Sequence, residues 1–285
     1  MTEPLIVKKS EARENDTKES DLQKSYSEQG YAFPFDILSA EETAHFSAQL
    51  AQLETQIDDK TAGYKQQLNY PHVIFKFANQ LVRHPKILQH VTQLLGPDVL
   101  VWGATFFIKE PHTENYVSWH QDLKYWGLNN DDGQVSAWLA LGEVNQENGC
   151  MQFIPGSHKG PMLEHIDTPV ENNVLSRGQE AQFSSADKEV MHVELAPGQV
   201  SFHHGKLLHS SAPNRSNQRR IGLAINYIST STKQNLVEQD FAMLVAGEDN
   251  YHHFTHVPAP QQDLSDDAIT WHQRIINAQS KVIYK

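Results

Sequence analysis

The sequence predicts a single domain with a β core and flanking helices. Three observations predict it. After Gly96 the chain is a series of short apolar or alternating runs separated by Asn, Asp, Gly and Pro, the pattern of a sandwich or barrel. Helical periodicity appears before that series and again at the end of the chain. No internal repeat and no linker divides the 285 residues, a length that suits one large β domain.

Residues 1–20 are polar and charged and predict a mobile tail. The domain then covers 21–285, its packed part beginning near YSEQGYAFPFDIL. Ser39, with Glu42 three residues later, has the form of a capping box and opens SAEETAHFSAQLAQLETQ. Phe46, Leu50 and Leu53 give that helix an apolar stripe. A second helix is expected at HPKILQHVTQLLG, with Pro85 in its first turn and Gly96 just past its end. DVLVWGATFFIKE (98–110) is rich in β-branched and aromatic residues and predicts a strand. Further strands are expected in ENYVSWHQD, GQVSAWLALGEV, CMQFIPGSH, VMHVELAPGQVSFHH and RRIGLAINYIS. The segment LSDDAITWHQRIINAQSKVIY again reads as helix.

Composition excludes several functions. A net charge of −12 and a pI near 5.7 argue against a nucleic-acid surface or an anionic-membrane surface. The single cysteine, Cys150, rules out a disulfide framework and a cysteine-based zinc site, and suits a reducing compartment. No secretory h-region and no bilayer-length apolar stretch is visible, so a cytoplasmic protein is expected.

The chemistry centres on SWHQD (118–122). Side chains at i and i+2 of a strand share a face, so in an extended stretch His120 and Asp122 project together and Gln121 points away. A nitrogen and a carboxylate oxygen converging on one point supply two-thirds of the facial triad that binds non-heme Fe(II). The third ligand must come from a distant strand. GQVSFHHGKLLHSSAPNRSNQRRIGLAINYI (198–228) offers His203, His204 and His209. His209 suits a strand end, whereas His203 and His204 face opposite ways and one is left for a structural hydrogen bond. The chain then returns through Arg219 and Arg220, also on opposite faces. The spacing alone leaves both open as the planar fork that grips a carboxylate beside the metal.

The blocks SWHQDLKYWGL, SAWLALGEVNQENGCMQFIPGSHKG and LLHSSAPNRSNQRRIGLAINY together resemble the phytanoyl-CoA dioxygenase family, from about Tyr26 to Tyr227. The resemblance implies a double-stranded β-helix, a jelly-roll barrel, using Fe(II), 2-oxoglutarate and O2. It implies His120, Asp122 and His209 as metal ligands and catalytic residues. Arg220, eleven residues after His209, takes the place of the arginine that holds 2-oxoglutarate. Ser211 shares that carboxylate, Trp138 stands beside the cosubstrate, and Thr105 is a further candidate for the same pocket. Pro155-Gly156 is turn chemistry, and His158 orders its loop. Halogenating relatives lack the acidic ligand; this chain keeps Asp122, so hydroxylation with release of succinate and CO2 is implied.

Tyr125, Trp126, Lys109 and Gln152 are the expected substrate contacts, with simple packing an equal reading for the two aromatics. An aromatic wall suits an apolar chain or a quaternary ammonium. The partner is a small molecule; its identity and the oligomeric state are not legible. Two other functions compete: a zinc hydrolase with the same ligands, which needs no buried arginine, and a non-catalytic barrel, whose signature would be a damaged ligand set. A JmjC-like or cupin enzyme is disfavoured by the WGL, SAW and PGSH blocks.

Overall fold

The computed structural model describes residues 20–56, 68–167, 171–175 and 178–283. The expected N-terminal tail, save Ser20, lies outside them.

The chain enters through α1 (Asp21–Gln29), capped by the Ser20 hydroxyl and the Gln23 side chain in a reciprocal box. β1 (Tyr31–Asp36) and α2 (Ala40–Gln56) follow. The capping box predicted for α2 is present: Ser39 N–H donates to Glu42 Oε2 at 2.7 Å, and Glu42 N–H donates to Ser39 Oγ at 3.2 Å. The short helices α3 (Pro71–Ile74) and α4 (Lys76–Val82) carry no signal that sequence reading found. α5 (Pro85–Leu95) has Pro85 at its start and Gly96, at φ 88°, past its end, as expected.

Two sheets form the core. The larger has seven strands in the order β1-β9-β4-β11-β2-β12-β13, with β2 Val99–Lys109, β4 Gln134–Ala140, β9 Gln199–His203, β11 Arg220–Ser229, β12 Phe241–Ala246 and β13 Thr255–His256. The smaller runs β3-β10-β5-β8, with β3 Val117–His120, β5 Met151–Phe153, β8 Met191–Val193 and β10 His209–Ser211. A separate hairpin pairs β6 (His165–Asp167) with β7 (Gln179–Ala181). The short α6 (Leu123–Trp126) follows β3 directly, and α7 (Asp266–Ile283) ends the described chain. The architecture is the double-stranded β-helix, mainly β with flanking helices.

Alternation places the site. On β11, Leu223, Ile225 and Tyr227 are buried in the core that also holds Leu50 of α2, Leu81 of α4 and Ile87 of α5. The intervening Arg220, Ala224 and Asn226 face the other way, into a cavity between the sheets. β4 repeats the arrangement: Val135, Ala137 and Leu139 pack under the helices, while Ser136 and Trp138 line the cavity. Apart from Trp138, the inner faces of both strands carry small or polar residues, and a cavity of about 560 Å³ lies between the sheets.

Candidate active site

His120 and His209 occupy directly paired positions on the antiparallel strands β3 and β10. Side chains opposite each other on one sheet face are close neighbours, and the two imidazole centroids lie 4.0 Å apart. Each ring is held the same way. His120 Nδ1 lies 2.9 Å from the Ser118 carbonyl, and His209 Nδ1 lies 2.9 Å from the Leu207 carbonyl. A carbonyl only accepts, so each Nδ1 carries the proton and each Nε2 presents a lone pair.

Asp122 reaches the same point by a different route from the one expected. β3 ends at His120, and Asp122 has helical dihedrals (φ −55°, ψ −48°) at the start of α6. The turn into that helix, and not strand alternation, brings its carboxylate back. Gln121 does not face solvent. It is fully buried and ties the turn down, donating from Nε2 to the Lys206 carbonyl at 2.8 Å and accepting from Leu163 N–H at 2.8 Å. Asp122 Oδ1 lies 3.3 Å from His120 Nε2 and 3.8 Å from His209 Nε2. One ligand atom from each of the three residues falls within 4.8 Å of the others, the one such cluster among the described residues.

The other carboxylate oxygen is held from behind. Ser136 Oγ sits 3.4 Å from Asp122 Oδ2 and 3.2 Å from Asn226 Oδ1. His203 Nε2 is 3.9 Å from Asp122 Oδ2. His203 thus faces the cavity and stands behind the carboxylate, while His204 turns away and bonds Asp132 and the Lys206 amide. Burial alone would raise the Asp122 carboxyl; the neighbouring imidazoles of His209, His120 and His203 outweigh it and hold the group well below the usual carboxylate range. Burial pushes His209 down to about 3 and His203 to about 4. Both are therefore neutral at neutral pH, which for His209 is the form that ligates a metal.

Arg220 enters the same cavity from β11. It is 2% exposed. Its Nη1 donates to the Gly149 carbonyl at 2.6 Å and to Ser211 Oγ at 3.0 Å, and its guanidinium carbon lies 5.2 Å from the Trp138 ring centroid. The Nε has no hydrogen-bond partner, and no carboxylate among the described residues pairs with the group. Arg219 faces outward, bonding Glu54 and Glu110 at 2.7 and 2.8 Å.

Ser211, Trp138, Thr105, Tyr125 and Trp126 all line the cavity. Thr105 Oγ1 donates to Asn69 Oδ1 at 3.2 Å. Lys109 and Gln152 are not among the lining residues. Lys109 is buried behind the wall, directly opposite Arg220, and donates to Ser211 Oγ at 2.6 Å and to the Ser211 and Ala212 carbonyls. Gln152 accepts from Ser210 on β10. His158 pins α1 through the Ser27 carbonyl at 3.2 Å, and Gly156 adopts the positive φ of the expected turn. Sequence reading missed Ser136, Asn226 and Gly222. A Cβ on Gly222 would meet the Trp138 ring at 1.9 Å, so the glycine makes room for the indole beneath Arg220. A lone glycine inside a β-branched strand was the available signal.

Two imidazoles and a carboxylate facing one point fit a divalent iron, and they leave room on the cavity side. A buried guanidinium with no counter-ion, in the same cavity, fits the far carboxylate of 2-oxoglutarate. Fold and site together present a candidate facial triad, His120, Asp122 and His209, on a double-stranded β-helix.

Comparison with known proteins agrees. The model of the phytanoyl-CoA dioxygenase family matches residues 26–222, and the chain belongs to that family. It is 28% identical over 226 residues to a protein named probable alpha-ketoglutarate-dependent hypophosphite dioxygenase from Stutzerimonas stutzeri, covering 73% of this chain and 78% of that one. Peroxisomal phytanoyl-CoA dioxygenase of Rattus norvegicus is 28% identical over 152 residues, and the match spans 45% of its length. Among solved structures, the non-heme monooxygenase ThoJ in its apo form superposes with a TM-score of 0.79 at 28% identity, covering 93% of this chain and 98% of that one. Among the described residues no helix is long and apolar enough to cross a membrane.

Proposed function

We propose that the chain is an Fe(II)- and 2-oxoglutarate-dependent dioxygenase that hydroxylates an unactivated C–H bond of a small molecule, with release of succinate and CO2. The observation that carries this reading is the buried, unpaired Arg220 in the cavity that also holds the His120–Asp122–His209 cluster. Burying a cation without a counter-charge costs several kcal/mol, a cost that a bound dicarboxylate offsets. A zinc hydrolase has no use for it.

The chain's residues divide the work. His120 and His209 present Nε2, and Asp122 presents Oδ1, with Ser136 and His203 fixing its other oxygen. Arg220, backed by Ser211 and Trp138, orients the cosubstrate. When bound, iron with 2-oxoglutarate supplies oxygen activation and C–H oxidation, chemistry that belongs to the cofactor. The protein supplies geometry and a wall that excludes water. Tyr125 and Trp126 form part of the substrate side of that wall. Retention of Asp122 supports hydroxylation over halogenation, since the carboxylate fills the place a halide needs.

The test is product analysis in air. Iron-loaded protein given 2-oxoglutarate should form succinate slowly without substrate, and Asp122→Ala should abolish it. With a true substrate, one atom of labelled dioxygen should enter the product. Consumption of 2-oxoglutarate at the rate of a protein-free control would overturn the proposal.

A further inference from the structure

Behind the wall that carries Arg220 lies a second basic group. Lys109, the last residue of β2, is 3% exposed and sits opposite Arg220 of β11. Its Nζ donates to Ser211 Oγ at 2.6 Å, to the Ser211 carbonyl at 3.2 Å and to the Ala212 carbonyl. These acceptors match the three N–H groups of an ammonium. Among the described residues, the charged and titratable groups facing Lys109 are Arg220 of β11 and the Cys150 thiol ahead of β5. Burial and Glu194 push that thiol up to about 11, so it stays neutral. Glu110 and Arg219, next in sequence to Lys109 and Arg220, pair with each other on the outside at 2.8 Å. No carboxylate among the described residues faces either buried base. Without a counter-charge, burial and the neighbouring Arg220 pull Lys109 down to about 6.

The Ser211 hydroxyl joins the two groups. Its Oγ lies 3.0 Å from Arg220 Nη1 and 2.8 Å from the Gly149 carbonyl. A hydroxyl has one proton, and a guanidinium or an ammonium only donates. With Lys109 charged, Oγ accepts from both bases, and its proton points at an acceptor: the Gly149 carbonyl, or a carboxylate seated on Arg220. A neutral Lys109 has two N–H groups, and the Ser211 and Ala212 carbonyls use both. Its lone pair then competes for the Ser211 proton, and the carboxylate loses that donor. A carboxylate on Arg220 also supplies the missing negative charge. Both effects favour the ammonium.

We infer that Lys109 is a positioning residue of the cosubstrate pocket, acting through Ser211, and that seating the far carboxylate of 2-oxoglutarate draws one proton from solvent onto Lys109. The inference rests on the oxygenase reading and adds a proton linkage to its cosubstrate step. Affinity is greatest below about pH 6, where the free pocket already holds the proton. It falls as pH rises above that value, by up to about tenfold per pH unit. The carboxyls of 2-oxoglutarate titrate well below this range.

Calorimetric titration of 2-oxoglutarate into anaerobic Fe(II)-loaded protein tests this, at about pH 7.5 in Pipes and in Tris. The two buffers differ in ionisation enthalpy, so the difference between the observed heats counts the protons taken up. Wild type should take up close to one proton per cosubstrate. The visible band of its iron–keto-acid chelate should need more 2-oxoglutarate as pH rises from about 6.5 to 8.5. Lys109→Met should abolish the uptake and flatten that pH dependence. Ser211→Ala should reduce both, and it carries the test if Lys109→Met does not fold. A lysine with a merely structural role leaves the proton count at zero. No uptake in wild type, uptake that survives Lys109→Met, or uptake unchanged in Ser211→Ala would overturn the inference and leave the oxygenase reading standing. Absence of the chelate band in wild type would remove both.

Discussion

Lys109 and Arg220 occupy paired positions on β2 and β11 and share the Ser211 hydroxyl, so two basic groups are buried side by side. Burial, with the charge of Arg220 beside it, lowers Lys109 from its ordinary 10.5 to about 6. Between those values the unfolded chain holds a proton that the folded chain does not, so stability rises with pH across that window and the cost is full below it. Lys109→Met should therefore flatten the rise in unfolding free energy between about pH 6.5 and 9.5, by up to about 1.4 kcal/mol per pH unit. Urea unfolding of both proteins across that range checks it, and equal slopes would remove the account. Arg220→Ala should weaken 2-oxoglutarate binding by about a hundredfold or more, because one partner of a buried charge pair is lost. Iron affinity should change far less. Spacing in SWHQD pointed to His120 and Asp122, spacing alone left Arg219 and Arg220 open, and the resemblance named His209 and Arg220; the structure brings all four named residues to one cavity. The route of Asp122 was not legible, since nothing in SWHQD says that β3 stops at His120. Lys109 was read as a substrate contact; its hydrogen bonds to the Ser211 hydroxyl and to the Ser211 and Ala212 carbonyls keep it out of the cavity lining, contacts with β10 that no local pattern announces.

At the scale of elements, β11 explains most of the site. Its outer residues anchor the helix layer, and its inner residues Arg220, Gly222, Ala224 and Asn226 form the cavity floor. Gly222→Ala should destabilise the protein by about 1–3 kcal/mol through overpacking against Trp138. It should also weaken 2-oxoglutarate binding, because the displaced indole no longer lies under Arg220. Thermal unfolding and cosubstrate titration read the two effects separately; unchanged binding would show that Trp138 does not orient the guanidinium. The predicted helices and the main strands were found where periodicity and capping residues placed them, as in α2, α5 and β2. β12 was missed because its apolar run follows no distinct turn signal. The role of α7 was missed for another reason. Its stripe reads as core packing, which is true of Ile275, yet Ile276, Gln279 and Ser280 line the cavity. A helix face is visible in sequence; what it faces depends on long-range pairing.

The whole molecule buries the Arg220 guanidinium in the same cavity as His120, Asp122 and His209. A net charge of −12 gives no hint of that arrangement, since it reports the surface more than the buried groups. Because ligand bound to the folded state stabilises it by mass action, Fe(II) with 2-oxoglutarate at about a hundredfold over the dissociation constant should add about 2.7 kcal/mol. A chelator should reverse the gain, and Asp122→Ala should never show it. Differential scanning calorimetry measures this, and a melting temperature indifferent to both would count against the site. The most direct measurement of the central claim is an anaerobic titration of the apoprotein with Fe(II) and then 2-oxoglutarate, followed in the visible. The account predicts a weak charge-transfer band in wild type that fades in Arg220→Ala and is absent in His209→Ala. Bound iron with no band in wild type would contradict it.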